Sequence, residues 1–244
     1  INQRGSFSIK NMIKQRLYQL LNEAGIGRTI HETREVIFQG LVTIDGKRCT
    51  RPDFQVDPAK KKVLVEGRPI VSEEKFYFLL NKPKGYSSQK YDRAPYVGTF
   101  LARFPVSPVG RLDVNTTGLL IMTNDGKLSS FITSPNRHIS KTYVALLDKE
   151  VIDKQMYALR QGVPIIVDEK EYITLPAQVE RGKNKTIRIT ITEGKKRQIR
   201  LMFQSVGYTV KELQRISIGR LTLGTLGEGE WRRVTKDFIL KHLT

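Results

Sequence analysis

Residues 110–120 read Gly-Arg-Leu-Asp-Val-Asn-Thr-Thr-Gly-Leu-Leu. This stretch places one carboxylate, Asp113, in a loop bounded by two glycines and shortly after Arg111. The loop leads into the apolar run Leu119–Met122, which is typical of a buried strand and is stopped by Asn-Asp-Gly at 124–126. A lone Asp in such a loop usually serves as a turn or cap residue. Taken alone, the stretch predicts a loop and a strand and leaves the role of the carboxylate open.

Around this stretch, the chain from residue 75 onwards predicts a mixed α/β unit that is rich in strands. Apolar runs and strict alternation indicate strands, and a spacing of three to four residues indicates helices. The last helix turns Arg197, Arg200 and Gln204 away from its apolar face, as a phosphate-binding wall would. The strands are predicted from Phe76–Leu80, ended by a turn at Asn81–Gly85, and from Ile187, Ile189 and Ile191; the helices are predicted from Ile152, Met156 and Leu159 and from Ile199, Met202, Phe203 and Val206.

The first 70 residues predict a separate small unit of two helices and a short sheet. A helical pattern ends near Gly25, and Thr29 with Glu32 fits a capping box that opens a second helix. Alternation then leads into an Asp45-Gly46 hairpin turn. Residues 71–74 are predicted as the joint to the next domain. Five basic residues are predicted to surround this unit: Arg16, Arg28, Arg34, Lys47 and Arg48.

The charge of the chain indicates a polyanionic partner. Lys and Arg number 42 against 24 acidic residues, which gives a net charge of +18 over 244 residues. Residues 181–220 alone hold eleven basic residues against two acidic ones, so half of the excess lies in forty residues. Such a run is often only a solvated surface, but this density of one sign repels itself unless a polyanion binds. We therefore expect nucleic-acid binding.

Several classes of function lack their sequence signatures. The single cysteine, Cys49, excludes an internal disulfide and a cysteine-rich zinc module, and the three histidines are too far apart for a local metal motif. Neither a phosphate-binding GxxxxGK[ST] loop nor a dinucleotide-binding GxGxxG motif is present. No apolar run approaches the ~20 residues of a membrane span, so we expect a soluble chain. Catalysis is expected to use ordinary side chains, with no cofactor and no metal.

Four ordered motifs resemble the pseudouridine synthases. Residues 110–120 resemble their GRLDxxTxGLL signature, and the continuation through 126 is similar to the RsuA/RluB branch that acts on ribosomal RNA. Asn81–Gly85 resembles the NKPxG motif, Lys141–Tyr143 the KTY strand, and Glu193–Arg200 the EGxxxQ(I/V)(R/K) motif of that branch. The first 70 residues resemble the S-four RNA-binding domain that this branch often carries in front. The resemblance covers nearly the whole chain.

The resemblance implies an isomerisation that breaks the bond from the sugar to uracil nitrogen, turns the base and rejoins it through carbon. It implies that Asp113 is the essential group, which attacks the anomeric carbon, attacks the ring, or removes a proton from the sugar. These three routes stay open. Because burial against a base penalises a carboxylate charge, Asp113 is expected to need a cation beside it.

The resemblance also assigns roles to other residues. Lys195 is the implied cation beside Asp113, and Tyr143 is the implied tyrosine that stacks on the base and relays a proton. Ile199 is expected to form an apolar floor beside the base, although a plain core role fits equally well. Arg111 is expected to hold the flipped nucleotide. Further contacts to substrate or RNA are expected from Lys82, Arg197, Arg200, Arg16, Arg28 and Arg34.

We therefore predict an α+β protein. A small N-terminal α/β RNA-binding domain covers residues 1–70, with its core at about 14–70, and a pseudouridine synthase domain with a mixed, largely antiparallel sheet covers 75–244. The expected reaction is cofactor-free isomerisation of a uridine in ribosomal RNA, with the small-subunit RNA favoured and the large-subunit RNA left open. The alternative is a non-catalytic RNA-binding assembly factor that keeps the fold. We expect a monomer that meets its RNA in an assembling ribosomal particle, without metal or membrane, in the cytoplasm; an organellar location stays open because the chain begins at Ile1.

Overall fold

The computed structural model describes residues 15–27, 29–58, 60–70 and 74–243. The chain divides into two compact units, residues 1–74 and 75–244. Arg28, one of the expected RNA contacts, and residues 71–73 of the expected joint lie outside the described residues. No described helix has both the length and the apolar character needed to cross a membrane.

The first unit contains the predicted two helices and short sheet. The Thr29 hydroxyl accepts a hydrogen bond from the Glu32 N–H at 3.1 Å, which confirms the predicted helix start. Asp45 and Gly46 both have positive φ, at 50° and 80°, as a tight hairpin turn requires. Its elements are β1 Gln15–Arg16, α1 Leu17–Glu23, α2 Ile30–Phe38, β2 Val42–Ile44, β3 Lys47–Arg48, β4 Gln55–Val56, β5 Val63–Val65 and β6 Arg68–Pro69.

The core of this unit is small and apolar. Leu17 and Leu21 of α1, Ile37 of α2 and Val42 of β2 are completely buried against one another. Four strands pair in the order β3-β2-β5-β6, and β1 pairs with β4 as a separate ribbon. The apolar positions of the two short helices therefore cover one sheet, as their spacing predicts.

The second unit is built on one nine-stranded sheet. The strands of the whole second unit are β7 Tyr77–Lys82, β8 Ser107–Pro108, β9 Thr117–Thr123, β10 Lys141–Leu147, β11 Pro164–Val167, β12 Lys170–Ile173, β13 Gln178–Arg181, β14 Thr186–Ile191, β15 Val210–Ile218, β16 Leu221–Thr222 and β17 Trp231–Arg233. Strands β11 and β12 form a hairpin outside this sheet. Its helices are α3 Gly126–Thr133, α4 Asp153–Gln161, α5 Gln198–Ser205 and α6 Lys236–Leu243, with short 3₁₀ turns at Val97–Leu101 and Pro135–Arg137.

The sheet is mixed and largely antiparallel, as predicted. The main order is β13-β14-β10-β15-β9-β7-β17, and among the strands of the described residues only β15 and β9 pair in parallel. That parallel contact is two residues long and pairs Arg215 with Gly118. A Cβ built on Gly118 would come within 2.2 Å of the Arg215 carbonyl oxygen, and its φ is +108°. Gly118 is therefore required for the close approach of these central strands.

Four details of this unit differ from the sequence predictions. Asn81 and Lys82 belong to β7, so the predicted turn begins later, and Ile152 lies at the start of α4 with 57% of its surface exposed. Helices α3 and α6 were not predicted. The Asp125 side chain caps α3 by accepting from the Leu128 N–H, so the Asn-Asp-Gly turn both stops β9 and starts a helix.

Candidate active site

Asp113 lies in a loop whose backbone is fixed from several sides. The Ser88 hydroxyl donates to the Leu112 carbonyl and accepts from the Leu112 N–H, both at 3.1 Å. The Gly85 N–H donates to the Val114 carbonyl at 2.9 Å, and the Thr116 N–H donates to the carbonyl of Asp113 itself at 3.0 Å. The carboxylate is thus carried on a loop with few free backbone groups, which favours one fixed position.

Lys82 also holds this loop, through hydrogen bonds to two of its carbonyl groups. Its side chain is completely buried, and its Nζ donates to the carbonyls of Pro83, Val114 and Thr116 at 2.9, 3.4 and 2.8 Å. Burial lowers the pKa of Lys82 from 10.5 to about 8, although the charge of Asp113 acts in the opposite direction. Because its ammonium group is enclosed by protein, the expected RNA contact of Lys82 is wrong. Its place is under the Asp113 loop.

Arg200 of helix α5 holds the same loop from the other side. Its guanidinium donates to the carbonyl of Asn115 and to the carbonyl of Val210, both at 2.9 Å. Burial lowers the pKa of Arg200, the charge of Arg197 lowers it further, and the charge of Asp113 raises it. The outward direction predicted for Arg200 is therefore corrected, because the Asp113 loop covers this position of the helix.

Tyr143 stands on the sheet beside this loop. In the antiparallel registers it faces Ile189 of β14 and Arg215 of β15. The β10–β15 register shifts between Thr142 and Tyr143. Such irregularities re-aim side chains next to active sites, and here the shift accompanies the turn of Tyr143 towards the cavity.

A cavity of about 540 Å³ lies between the Asp113 loop, this sheet and the start of α5. It is large enough for a nucleoside, and ligand sites are typically clefts of this size. Six of the predicted site residues line it: Arg111, Asp113, Tyr143, Lys195, Arg197 and Ile199. Arg197 is exposed, with φ at 55° where α5 begins, whereas Ile199 is 4% exposed and contributes both to the core and to the cavity wall.

Lys195 lies at the rim, and the predicted ion pair with Asp113 is absent. No ion pair within 4.0 Å joins Asp113 to a cation among the described residues. Lys195 Nζ instead lies 4.4 Å from the ring centroid of Tyr172. The cations that act electrostatically on Asp113 include Lys82 and Arg200. Two cations that the sequence analysis assigned to RNA contacts therefore act on the charge of Asp113.

The segment 193–198 at the rim of the cavity is held by hydrogen bonds within itself and to Tyr172 and Leu175. The Tyr172 hydroxyl donates to the Glu193 carboxylate, and the Leu175 N–H donates to it at 2.9 Å. Gln198 donates its amide to Glu193 and accepts from the Lys195 N–H at 2.9 Å. The hydrogen bond to Glu193, followed by burial, raises the pKa of Tyr172 to about 12. The Glu and Gln of this motif therefore serve to shape the loop that carries Lys195.

Two of the basic residues predicted for the first unit, Arg16 and Arg34, have local partners. Arg16 is exposed and lies 3.4 Å from Asp53, an ion pair that contributes little when both partners are solvated. The Arg34 guanidinium lies 4.7 Å from the ring centroid of Tyr18. Arg16 is open to an RNA partner, and Arg34 is half-buried.

Metal chemistry has no evident ligand set. Among the described residues, no group of three or more His, Cys, Asp or Glu side chains is arranged to hold a metal ion.

Comparison with known proteins identifies the family. A family model described as RNA pseudouridylate synthase matches residues 76–205, and an S4 domain model matches residues 15–61. The chain belongs to the RNA pseudouridylate synthase family. The resemblance stated from the sequence motifs is thereby confirmed.

Relatives within this family match nearly the full chain. The RNA pseudouridine synthase YtzG of Bacillus subtilis (strain 168), named as uncharacterized, is 38% identical over 91% of this chain and 95% of its own length. Ribosomal small subunit pseudouridine synthase A of Escherichia coli (strain K12) is 38% identical over 90% of this chain and 96% of its own. A solved structure described as a pseudouridylate synthase is 33% identical, covers 94% of this chain and 100% of that chain, and gives a TM-score of 0.66.

The synthase site contains residues that the sequence analysis did not assign. Ser88 and Tyr172 hold the two loops, and Lys141 and Arg215 line the cavity. Arg215 left one usable signal: it occupies a buried position of strand β15, where an apolar residue is expected. Lys141 lies in the KTY motif but received no role from it, and Ser88 and Tyr172 bond residues 24 and 21 positions away in the chain.

Proposed function

We propose that this protein isomerises a specific uridine of ribosomal RNA to pseudouridine, with Asp113 as the essential group and Tyr143 against the base. The observation that carries the proposal is the convergence of separate motifs on one loop. Lys82, Gly85, Ser88 and Arg200 all bond the backbone on either side of Asp113. A pure RNA binder has no need to fix one carboxylate over a cavity in this way.

The geometry supports a division of roles. Asp113 meets the sugar or the ring, while Tyr143 and Ile199 form walls against which a flat base can lie. Arg111 and Arg197 line the cavity and are exposed, so they are suited to phosphates beside the flipped nucleotide. Lys195, from its position at the rim, is proposed to act as a cation on the bound substrate.

The proposed target is the small-subunit RNA. Its support is the name of the Escherichia coli relative, Ribosomal small subunit pseudouridine synthase A. We propose that residues 1–70 anchor the RNA, as the S4 match at 15–61 suggests, and that residues 75–244 carry the reaction. The protein is further proposed to act as a cytoplasmic monomer on an assembling particle.

The test is to incubate the protein with each purified ribosomal subunit precursor and with free transcripts, and to map pseudouridine chemically. We expect one modified uridine in the small-subunit RNA, formed more readily on the particle. Asp113→Asn should form no pseudouridine, and Asp153→Asn is its matched control, because Asp153 is an exposed residue of α4 that pairs with Arg181. Modification confined to large-subunit RNA would refute the target, and no modification of any RNA would refute the activity and favour the assembly factor.

A further inference from the structure

Two cations in the cavity have no role in the function proposed above. Lys141 and Arg215 both line it, on neighbouring strands β10 and β15. Arg215 is 4% exposed, and its Nε donates to the Leu119 carbonyl at 2.8 Å. Its Nη2 is buried with no hydrogen-bond partner among the described residues. The hydroxyl of Thr116, which also lines the cavity, is likewise buried without a partner.

The registers place both cations on the face of the sheet that carries Tyr143. Arg215 is directly opposite Tyr143, and Lys141 lies two residues before it on the same strand. Directly opposed residues have Cβ atoms about 4.5–5.5 Å apart. Lys141 is itself flanked by Ile191 and Ile218. Both charges therefore lie beside the ring that is proposed to contact the base.

Their charges are not balanced by the protein. Six Lys and Arg residues line the cavity, but Asp113 and Glu193 are its only acidic lining residues among those described. Glu193 is occupied by Tyr172, Gln198 and the Leu175 N–H. Burial lowers the pKa of Lys141, and the charge of Arg215 lowers it further. An anionic ligand group would remove this repulsion.

We propose that Lys141 and Arg215 form a subsite for the negative charge that develops on the uracil ring during the reaction. This inference rests on the proposed function. Lys141 is the member that reaches the base, and Arg215 lies beneath as a fixed second charge.

Each of the three routes left open for Asp113 places a negative charge on the uracil ring. When the N1–C1′ bond breaks, its electron pair stays on the base and spreads from N1 to O2. If the carboxylate instead adds to C6 of the ring, the C5–C6 electron pair moves towards O4. The charge disappears when C5 bonds to C1′. In the same stage the bond from the carboxylate to C1′ or to C6 breaks, or the proton taken from the sugar returns to it, and the C5 proton leaves while N1 gains a proton. Cations placed at the carbonyl oxygens therefore stabilise the transition state more than the bound uridine.

Position distinguishes this subsite from a phosphate site. The exposed cations Lys196 and Arg197 lie at the rim, where a backbone phosphate can reach them. On the sheet beside Tyr143, Arg215 is buried and Lys141 is half-buried. A flipped base enters deeper than its phosphates, so the base is the group that meets them.

The test is single-turnover kinetics on the modified RNA, together with RNA affinity at several salt concentrations. Lys141→Met removes the charge and keeps the length of the side chain, and Lys141→Arg keeps the charge. Lys154→Met, on the exposed surface of α4, is the matched control for loss of one lysine. We expect Lys141→Met to lower the rate constant at saturating RNA by about 10²-fold, the cost of losing one such group. Affinity and its salt dependence should stay unchanged, and Lys141→Arg should recover part of the rate.

Two results would overturn the inference. A rate for Lys141→Met equal to that of Lys154→Met would show that the charge is not used in the reaction. A loss of affinity with a salt slope smaller by about 0.7–0.9 would assign Lys141 to a phosphate instead. Both differ from failure of the proposed function, in which the unaltered protein itself forms no pseudouridine.

Discussion

The carboxylate of Asp113 takes its position from the backbone that carries it. Four groups from distant parts of the chain bond the carbonyls and N–H groups of residues 112–116. Two of them, Lys82 and Arg200, are cations that also act on the Asp113 charge. One set of contacts therefore both orients the carboxylate and brings positive charge close to it.

Lys195 should be needed for turnover because of its charge at the cavity rim. We expect Lys195→Ala to lower the rate of pseudouridine formation and Lys195→Arg to retain much more of it, since Arg keeps the cation and can still lie over Tyr172. The measurement is the single-turnover rate of the three proteins on one RNA. Equal rates for all three would exclude a role for this charge.

Lys82 should make stability depend on alkaline pH. Its pKa is about 8 in the folded protein and ordinarily 10.5, so between these values the unfolded chain binds more protons and the free energy of unfolding rises with pH. The difference in the free energy of unfolding between the unaltered protein and Lys82→Met should rise by about 3 kcal/mol from pH 8 to pH 10.5. Urea unfolding of both proteins across this range measures it. A constant difference between the two proteins would contradict the burial of the charged amine.

The sequence located these residues but could not give their partners. Asp113, Tyr143 and Ile199 were found from motifs, and they do meet at one cavity. Lys82 was misassigned because a lysine before a proline resembles an exposed turn, whereas here it ends a buried strand. Arg200 was misassigned because helix periodicity cannot show that a loop 85 residues away covers it.

Strands β9 and β15 bring the Asp113 loop to the Tyr143 face, and Gly118 allows their contact. We expect Gly118→Ala to destabilise the protein by about 3 kcal/mol or more, because the methyl group meets backbone atoms of Arg215 and the φ is +108°. Gly126→Ala is the control: nothing lies within 4 Å of its Cβ, so its effect should stay within about 1 kcal/mol. Chemical denaturation measures both, and equal stabilities would contradict the close approach.

Among the secondary-structure elements, those with regular apolar patterns were predicted best. The alternation of Ile187, Ile189 and Ile191 and the cap at Thr29 were both found in the structure. Helix α3 was missed because its cap, Asp125, was interpreted only as part of a turn. The pairing of β9 with β15 joins segments almost a hundred residues apart, and local patterns cannot reveal it.

In the molecule as a whole, two units each have their own apolar core, and positive charge is present in both. Residues 1–70 hold thirteen basic and seven acidic residues. Deleting them should weaken RNA affinity and reduce its log–log salt slope by roughly 0.9 for each duplex phosphate that this unit neutralises in the intact protein. The rate at saturating RNA should change little. An unchanged slope would show that this unit does not anchor RNA.

The most direct test of the account is the amount of pseudouridine that Asp113→Asn forms on an RNA modified by the unaltered protein. Asparagine keeps the shape of the side chain and removes the charge. We expect RNA affinity close to that of the unaltered protein and no detectable pseudouridine, as measured by filter binding and chemical mapping on the same samples. Near-normal turnover by Asp113→Asn would contradict it.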